Sequence, residues 1–248
     1  MPVQETLGLV IPTMREAECL PAVLRQTHAV LSDLRIPFEI LVVDDDSRDG
    51  TAELVAAIAR HAPQVRLLTR KRARGLAGAI LHGWQHTDAT LLGVMDADMQ
   101  HPPALLATMV AEIAKGSDLV LASRYACGGR MQGWRPLRRF ISAVSIWMTL
   151  PLQRGKMRVR DPMSGYFVVR RCCVENVLFR PTGFKLLLEI LVRGRVRSVS
   201  EVPFAFGRRT AGRSKASPKV AWDFVRLLAS LYRCRWKHPS LVGDVSAD

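Results

Sequence analysis

An α/β fold, a mostly parallel central sheet flanked by helices, is predicted for this chain by two observations. Short apolar runs rich in Val and Ile alternate with segments of helical periodicity through the first half of the chain. Those runs stop at polar residues, Asp above all. Repeated strand–helix–strand alternation produces parallel pairing, because a strand that returns after a helical crossover runs in its predecessor's direction. Open sheets of this kind carry ligands beyond the carboxyl ends of their strands, so the residues that terminate each run are the first functional candidates.

LGLVIPT, Leu7 to Thr13, reads as the first strand, Glu16 to Leu34 as a helix, and FEILVVDDDS, Phe38 to Ser47, as the second strand. A helix beginning near Asp49 to Thr51 and the short strand VRLLT, Val65 to Thr69, continue the alternation. Leu76 to His86 is predicted helical, Leu91 to Met95 a strand, and SDLVLASRY, Ser117 to Tyr125, a further strand after the helix that follows Pro102 and Pro103. Beyond Tyr125 the pattern changes to Gly- and Arg-rich loops (Cys127 to Trp134), an apolar stretch (Phe140 to Gln153) and DPMSGYFVVRR, Asp161 to Arg171. The last helix, Pro218 to Trp236, sets Val220, Phe224, Leu227, Leu228 and Leu231 at helical spacing beside Arg226, Arg233, Arg235 and Lys237. Such a basic amphipathic helix suits either a membrane surface or packing on the domain. With no internal repeat or low-complexity linker, one domain over residues 1–217 and a C-terminal helix and tail over 218–248 are expected.

Lys and Arg number 36 against 22 Asp and Glu, a formal net charge of +14, while the hydrophobic fraction of 48% is ordinary for a globular protein. The partner is therefore expected to be anionic: nucleic acid, acidic lipid or a phosphorylated substrate. Five cysteines, odd in number and without C-x-x-C spacing, argue against a disulfide framework or zinc site and for the cytosol. Neither a signal peptide nor an anchor is visible, and Phe140 to Gln153 is shorter than the roughly 20 residues of a spanning helix. That stretch can still lie in a membrane surface.

The most informative segment is LLGVMDADMQHPP, Leu91 to Pro103. Asp96, Asp98 and Gln100 alternate, so an extended backbone would turn all three to one side at the end of a buried strand. Hard oxygen ligands there suit Mg²⁺ or Mn²⁺ holding a diphosphate. The alternative for an isolated D-x-D is a solvated strand end. His82, His86 and His101 are assigned structural roles, as are Trp84, Trp134 and Trp147, with Trp134 a candidate prenyl contact.

Together, VIPTMREAECLP, VVDDDSRDGT, VMDADMQHPP and GRRTAGRSK resemble glycosyltransferase family 2. Within it, RGLAGAILHGW, SRYACGG, GWRPLRRFIS, DPMSGYFVVRR and EVPFAF resemble the dolichyl-phosphate (polyprenyl-phosphate) mannose synthases. The resemblance implies a GT-A glycosyltransferase domain over residues 1–217 and transfer of mannose from GDP-mannose to a polyprenyl monophosphate with inversion. Carried onto matching positions, it implies that Pro12, Thr13, Glu16, Asp44 and Asp46 hold the donor nucleotide. Asp44 and Asp46 could equally cap the following helix. Asp98 and Gln100 would hold the divalent ion, with Asp96 as a further ligand or closer to the donor's phosphate or sugar. Arg124, Arg138 and Ser142 would bind the lipid phosphate, and Arg209 and Lys215 would belong to a loop closing over donor and acceptor phosphates. Asp96, Asp98, Arg124, Arg138 and Arg209 are the expected catalytic set. A phosphate monoester is already largely dianionic at neutral pH, so no general base is required.

Met14 and Arg15 replace the aromatic residue and Asn usual in the first segment, and Arg213 stands where eukaryotic members often have Glu. Without the C-terminal membrane helices of many microbial relatives, peripheral association with the cytoplasmic face of a membrane is expected. The basic surface, the amphipathic segments or a separate anchor subunit would supply it. The rival enzymatic reading is a UDP-sugar donor such as UDP-glucose. A nucleic-acid-binding module is disfavoured because basic and aromatic residues are not interleaved in a recognisable motif. A silent scaffold is disfavoured by the intact DADMQ and arginine motifs.

Overall fold

The computed structural model describes residues 4–71, 75–127, 130–131, 136–153, 158–179, 185–206 and 218–237. The chain runs β1 (Leu7–Thr13), α1 (Leu20–Asp33), β2 (Phe38–Asp44), α2 (Thr51–Ala59), β3 (Val65–Thr69), α3 (Leu76–Gln85), β4 (Leu91–Val94), α4 (Leu105–Ala114) and β5 (Leu119–Ser123). It continues through β6 (Arg130–Met131), α5 (Pro136–Thr149), β7 (Phe167–Arg170), α6 (Leu186–Arg193), β8 (Val199–Pro203), β9 (Ala205–Phe206) and α7 (Pro218–Lys237). The central sheet has seven strands in the order β3-β2-β1-β4-β7-β5-β8, and β6 pairs with β9 separately.

Every strand of the central sheet is parallel to β1 except β7, which runs antiparallel between β4 and β5. The sheet is thus mixed, consistent with a mostly parallel expectation but with one reversed strand at its centre. That reversal positions the site. Phe167 begins β7 opposite Val94 of β4 and Leu121 of β5, so the residues just before it lie at the carboxyl edge of its neighbours. Thr13 is level with Asp44, and Asp44 with Thr69, so β1, β2 and β3 end together. β4 leaves the ladder at Val94, opposite Val10, so the chain from Asp96 emerges beside the last residues of β1.

The alternation of side chains along each strand divides the core between two faces. Leu7, Leu9 and Ile11 of β1 pack with Leu20, Leu24 and Leu31 of α1, Val55 of α2 and Leu106 and Met109 of α4. Val10, Leu41, Val43 and Val94 face Ala77, Ile80 and Trp84 of α3 and Leu187 and Ile190 of α6. Helix α3 comes so close that a Cβ on Gly83 would lie 2.5 Å from a methyl of Val10.

Helices α5 and α7 lie apart from the sandwich, and each is two-sided. Leu227, Leu228 and Leu231 of α7 are buried with Leu152, just after α5, and with Leu188 of α6, so this helix does pack on the domain. Its other side exposes Trp222, Val225 and Tyr232, and α5 exposes Phe140, Ile141, Val144, Trp147 and Met148. The Tyr232 hydroxyl donates to the Met148 carbonyl at 2.7 Å, so the two exposed apolar faces adjoin. Trp84 is core, edge-on to Phe167, whereas Trp147 is 71% exposed and no part of the core. Among the described residues no helix is long and apolar enough to cross a membrane.

Candidate active site

Two loops meet at the ends of β1 and β2. Asp44 is buried and accepts hydrogen bonds from the Thr13 hydroxyl at 3.2 Å, the Ser47 amide at 3.0 Å and the Ser47 hydroxyl. The loop after β1 is laid along the loop after β2: the Arg15 amide donates to the Ser47 hydroxyl at 2.8 Å, and the Ala17 amide to Asp49 at 3.2 Å. Pro12 is buried just before Thr13, and Glu16 is half-buried on the same loop. Asp46 takes a positive φ of 57° and pairs with Arg48 at 3.1 Å. Neither Asp44 nor Asp46 starts the next helix. Gly50 opens it, and Asp49 just before accepts from the Thr51 amide at 3.2 Å and the Thr51 hydroxyl at 2.6 Å. Burial alone would raise the Asp49 carboxyl, but the hydrogen bonds from Thr51 and Ala17 outweigh it and hold it below its ordinary value. Beyond these loops a cavity of about 460 Å³ is lined by Asp44, Asp46, Arg48, Thr51, Glu53 and Thr69.

The DADMQ segment is a turn rather than the extended strand that its alternation predicts. β4 ends at Val94, residues 97–99 bend, and Met99 has a φ of 62°. The turn is held by Asp98, whose Oδ1 accepts the Gln100 amide at 3.1 Å, and by His101, whose Nδ1 accepts the Asp96 amide at 3.1 Å. His101 is buried, stacked on Tyr166 with ring centroids 5.0 Å apart, and its role is structural. The Asp96 side chain is 35% exposed and Gln100 half-buried, while Asp98 is only 5% exposed. Two carboxylates and an amide on one tight turn form a hard-oxygen donor set. Mg²⁺ is held in this way, by one or two carboxylates with the remaining positions given to water and substrate phosphates. No group of three or more His, Cys, Asp or Glu that could hold a metal occurs among the described residues. An ion held by this turn would complete its shell with water and substrate oxygens.

Arg124, one residue beyond β5, stands on the far side of that turn. Its Nε and Nη2 each donate to the Asp161 carboxylate at 2.7 Å, and its main-chain amide donates to the same group at 3.1 Å. Burial would lower the guanidinium, but the ion pair and hydrogen bonds with Asp161 override it, and Asp96 adds a smaller raising influence, so Arg124 stays charged. Asp96 is thus close enough to be felt at Arg124. Lys185 lies behind them, its Nζ donating to the Met163 carbonyl at 3.5 Å. Burial first, then Arg124, pushes its ammonium down to about 8 against the pull of Asp161 and Asp96. Ser142 on α5 accepts a hydrogen bond from the Tyr125 hydroxyl at 2.7 Å, which fastens that helix to the residue after Arg124.

The structure therefore gathers Pro12, Thr13, Glu16, Asp44 and Asp46 at one end of the carboxyl edge. It places Asp96, Asp98 and Gln100 near the middle and Arg124 and Ser142 at the other end. Arg138 lies on α5, but its side chain is outside the described residues, as are Arg209, Lys215 and Trp134. Reasoning on residue types alone gives no site role to Asp45, Asp161 or Lys185, although it does place the start of α2 near Asp49 to Thr51. Asp45 pairs with Arg70 at 2.9 Å and accepts the Gly75 amide at 2.8 Å, tying β2 to the start of α3. Its only sequence signal is membership of the DDD run, and Lys185 is marked only as a single charge before the apolar run LLLEI.

A mixed α/β sheet whose carboxyl edge carries acidic loops at one end, a D-x-D turn in the middle and a buried arginine at the other has the architecture of a GT-A glycosyltransferase domain. The model of the Glycosyl transferase family 2 matches residues 9–185, and the chain belongs to that family. It is 37% identical over 92% of its length to a dolichol-phosphate mannosyltransferase of Pyrococcus furiosus, of whose own length it spans 64%. It is 34% identical to the dolichol-phosphate mannosyltransferase of Mycosarcoma maydis, covering 92% of this chain and 80% of that one. The fold is shared with glucosyl-3-phosphoglycerate synthase from Mycobacterium tuberculosis, solved in complex with Mn²⁺, UDP-glucose and phosphoglyceric acid. That match has a TM-score of 0.70 at 17% identity, over 97% of this chain and 82% of that one.

Proposed function

We propose that this enzyme transfers mannose from GDP-mannose to the phosphate of a polyprenyl or dolichyl monophosphate, inverting the anomeric centre to give a β-linked mannosyl phosphate. The observation that carries the reading is the pairing of a hard-oxygen turn after β4 with a buried arginine after β5, on the same carboxyl edge and two strand positions apart across β7. On this reading the turn would serve one phosphate group and Arg124 a second. Relatives named for this reaction share over a third of their aligned residues with the chain.

The donor nucleotide would lie over the β1 and β2 loops, with Asp44, Asp46 and Glu16 as hydrogen-bond acceptors and the adjoining cavity as room for its base or ribose. Asp98 and Gln100, with Asp96, would hold a divalent ion, which when bound neutralises charge developing on the leaving diphosphate. Arg124 and Ser142, with Arg138 and Arg209, would hold the lipid phosphate, and Lys215 would join Arg209 in closing the site. A guanidinium fixed in one plane orients a phosphate oxygen toward the anomeric carbon. The C–O bond to the nucleoside diphosphate breaks as the phosphate oxygen bonds to carbon, and GDP leaves with the electron pair. The attacking oxygen carries no proton to remove, so none of these residues need act as a base.

The acceptor's chain would remain in lipid. The exposed faces of α5 and α7 are proposed as the surface resting on the cytoplasmic side of an anionic membrane, with Arg226 and Arg233 on α7 contributing charge. A separate anchor subunit would serve the same end.

The test is transfer by purified protein offered GDP-mannose and UDP-glucose in parallel with polyprenyl phosphate and Mg²⁺. Mannosyl phosphate product from GDP-mannose is expected. Preferential transfer from UDP-glucose would replace the donor assignment, and no transfer with salt-sensitive binding to duplex DNA would overturn the enzymatic reading.

A further inference from the structure

The mechanism above uses Arg124 but gives no role to the carboxylate that grips it. We propose that Asp161 is a positioning residue for the acceptor: it fixes the plane of the Arg124 guanidinium so that the lipid phosphate meets donors already aimed. This inference rests on the reading of Arg124 as a phosphate-binding residue.

Asp161 is completely buried, and three Arg124 donors converge on it, Nε and Nη2 at 2.7 Å and the main-chain amide at 3.1 Å. The bidentate edge commits one side of the guanidinium and so fixes where its remaining donors point. Asp161 is itself seated. Its own amide and that of Arg160 both donate to Glu201 Oε1, at 3.2 Å and 3.0 Å, and the Ser164 amide donates to its carbonyl at 3.2 Å. The clamp thus joins β8, through Glu201, to the residue after β5.

A structural pair would be a weak explanation. Burying a carboxylate and a guanidinium together contributes little net stability, and apolar residues of similar volume often serve as well. A negative group beside a site for a dianion is moreover unfavourable for binding by charge alone. What the pair supplies is direction: Arg124 remains charged yet cannot swing, and a phosphate bound in line with the anomeric carbon needs that constraint.

The experiment is a double-mutant cycle on the purified enzyme, with KM for polyprenyl phosphate, KM for GDP-mannose and kcat measured for Asp161→Asn, Arg124→Ala and the double variant. Asp161→Asn is expected to raise the acceptor KM about tenfold while the donor KM moves less than about twofold. In the Arg124→Ala background the same change should add nothing beyond about twofold, because a residue acting through Arg124 loses its effect when Arg124 is gone. Additive losses, or equal rises in both KM values, overturn the inference and leave the acceptor assignment standing. An unchanged acceptor KM in Arg124→Ala overturns both. Should Asp161→Asn fail to fold, Glu201→Ala takes its place in the cycle. It removes the acceptor of both main-chain amides that seat Asp161 and should raise the acceptor KM about threefold, again only when Arg124 is present; a rise that persists without Arg124 counts against the proposal.

Discussion

Asp98 and Lys185 show at single-residue scale how the site sets function against stability. Asp98→Ala should lower transfer at least about a hundredfold with the fold retained, measured as turnover at saturating substrate beside circular dichroism. Chelation of divalent ions should abolish activity in the parent, and adding Mg²⁺ or Mn²⁺ should restore it. Lys185 is a charge held at a cost. Its ammonium titrates near 8 in the fold, against an ordinary 10.5. Below pH 8 both folded and unfolded chains carry the proton and the penalty is complete. Between about pH 8 and 10.5 the unfolded chain keeps a proton that the folded one has lost, so this group's contribution to stability rises with pH across that window. Lys185→Met should therefore stabilise the metal-free protein at pH 7 by about 1–3 kcal/mol in urea titrations, flatten that alkaline rise, and reduce turnover. At this scale the sequence is legible in kind more than in detail. Asp44, Asp45, Asp46 and Asp49 are one acidic cluster on paper, yet one ties two loops, one clamps Arg70, one pairs with Arg48 and one accepts from Thr51 at the start of α2. Asp44 and Asp45 take partners tens of residues away, Thr13 and Arg70, which local spacing does not show, whereas Asp46 and Asp49 take theirs from Arg48 and Thr51 close by in the chain.

Among the elements, the first four strands and three helices follow from periodicity, because each buries one face against a neighbour close in the chain. The apolar runs outlast their strands, β2 ending at Asp44 rather than Ser47 and β4 at Val94 rather than Met95, and D-x-D alternation marks a turn here, since alternation of polar residues reads alike in turn and strand. FVVR of β7 carries no mark of direction, and its antiparallel pairing with β4 and β5 is made with partners distant in the chain. Helix packing is open to test at Gly83. Gly83→Ala would drive a methyl into Val10 and Val43 and should destabilise by about 1–3 kcal/mol, seen as a lower urea midpoint, with the KM values of the folded fraction unchanged. The two-sided helices give another expectation. Phe140→Glu with Trp147→Glu should weaken binding to lipid vesicles at least tenfold in a sedimentation assay, with little loss of turnover on a short, water-soluble prenyl phosphate.

For the molecule as a whole, the net charge of +14 sets how it meets its surroundings. Binding to vesicles containing anionic lipid should fall steeply between low salt and about 0.5 M, because polybasic attraction is worth roughly 1 kcal/mol per residue and is screened within a Debye length. Binding to neutral vesicles should change much less. Helix α5 links this scale to the chemistry. Ser142 sits on the opposite side of the helix from Phe140, Val144 and Trp147, as their spacing at 3.6 residues per turn requires. On the membrane-resting reading, one rigid rod holds the reactive headgroup on its inner side and sits among acyl chains on its outer side. The enzyme then has no need to swallow the isoprenoid. Short and long acceptors should turn over at nearly the same rate once both are dissolved in the same bilayer, because only the terminal unit ever rises to meet the sugar.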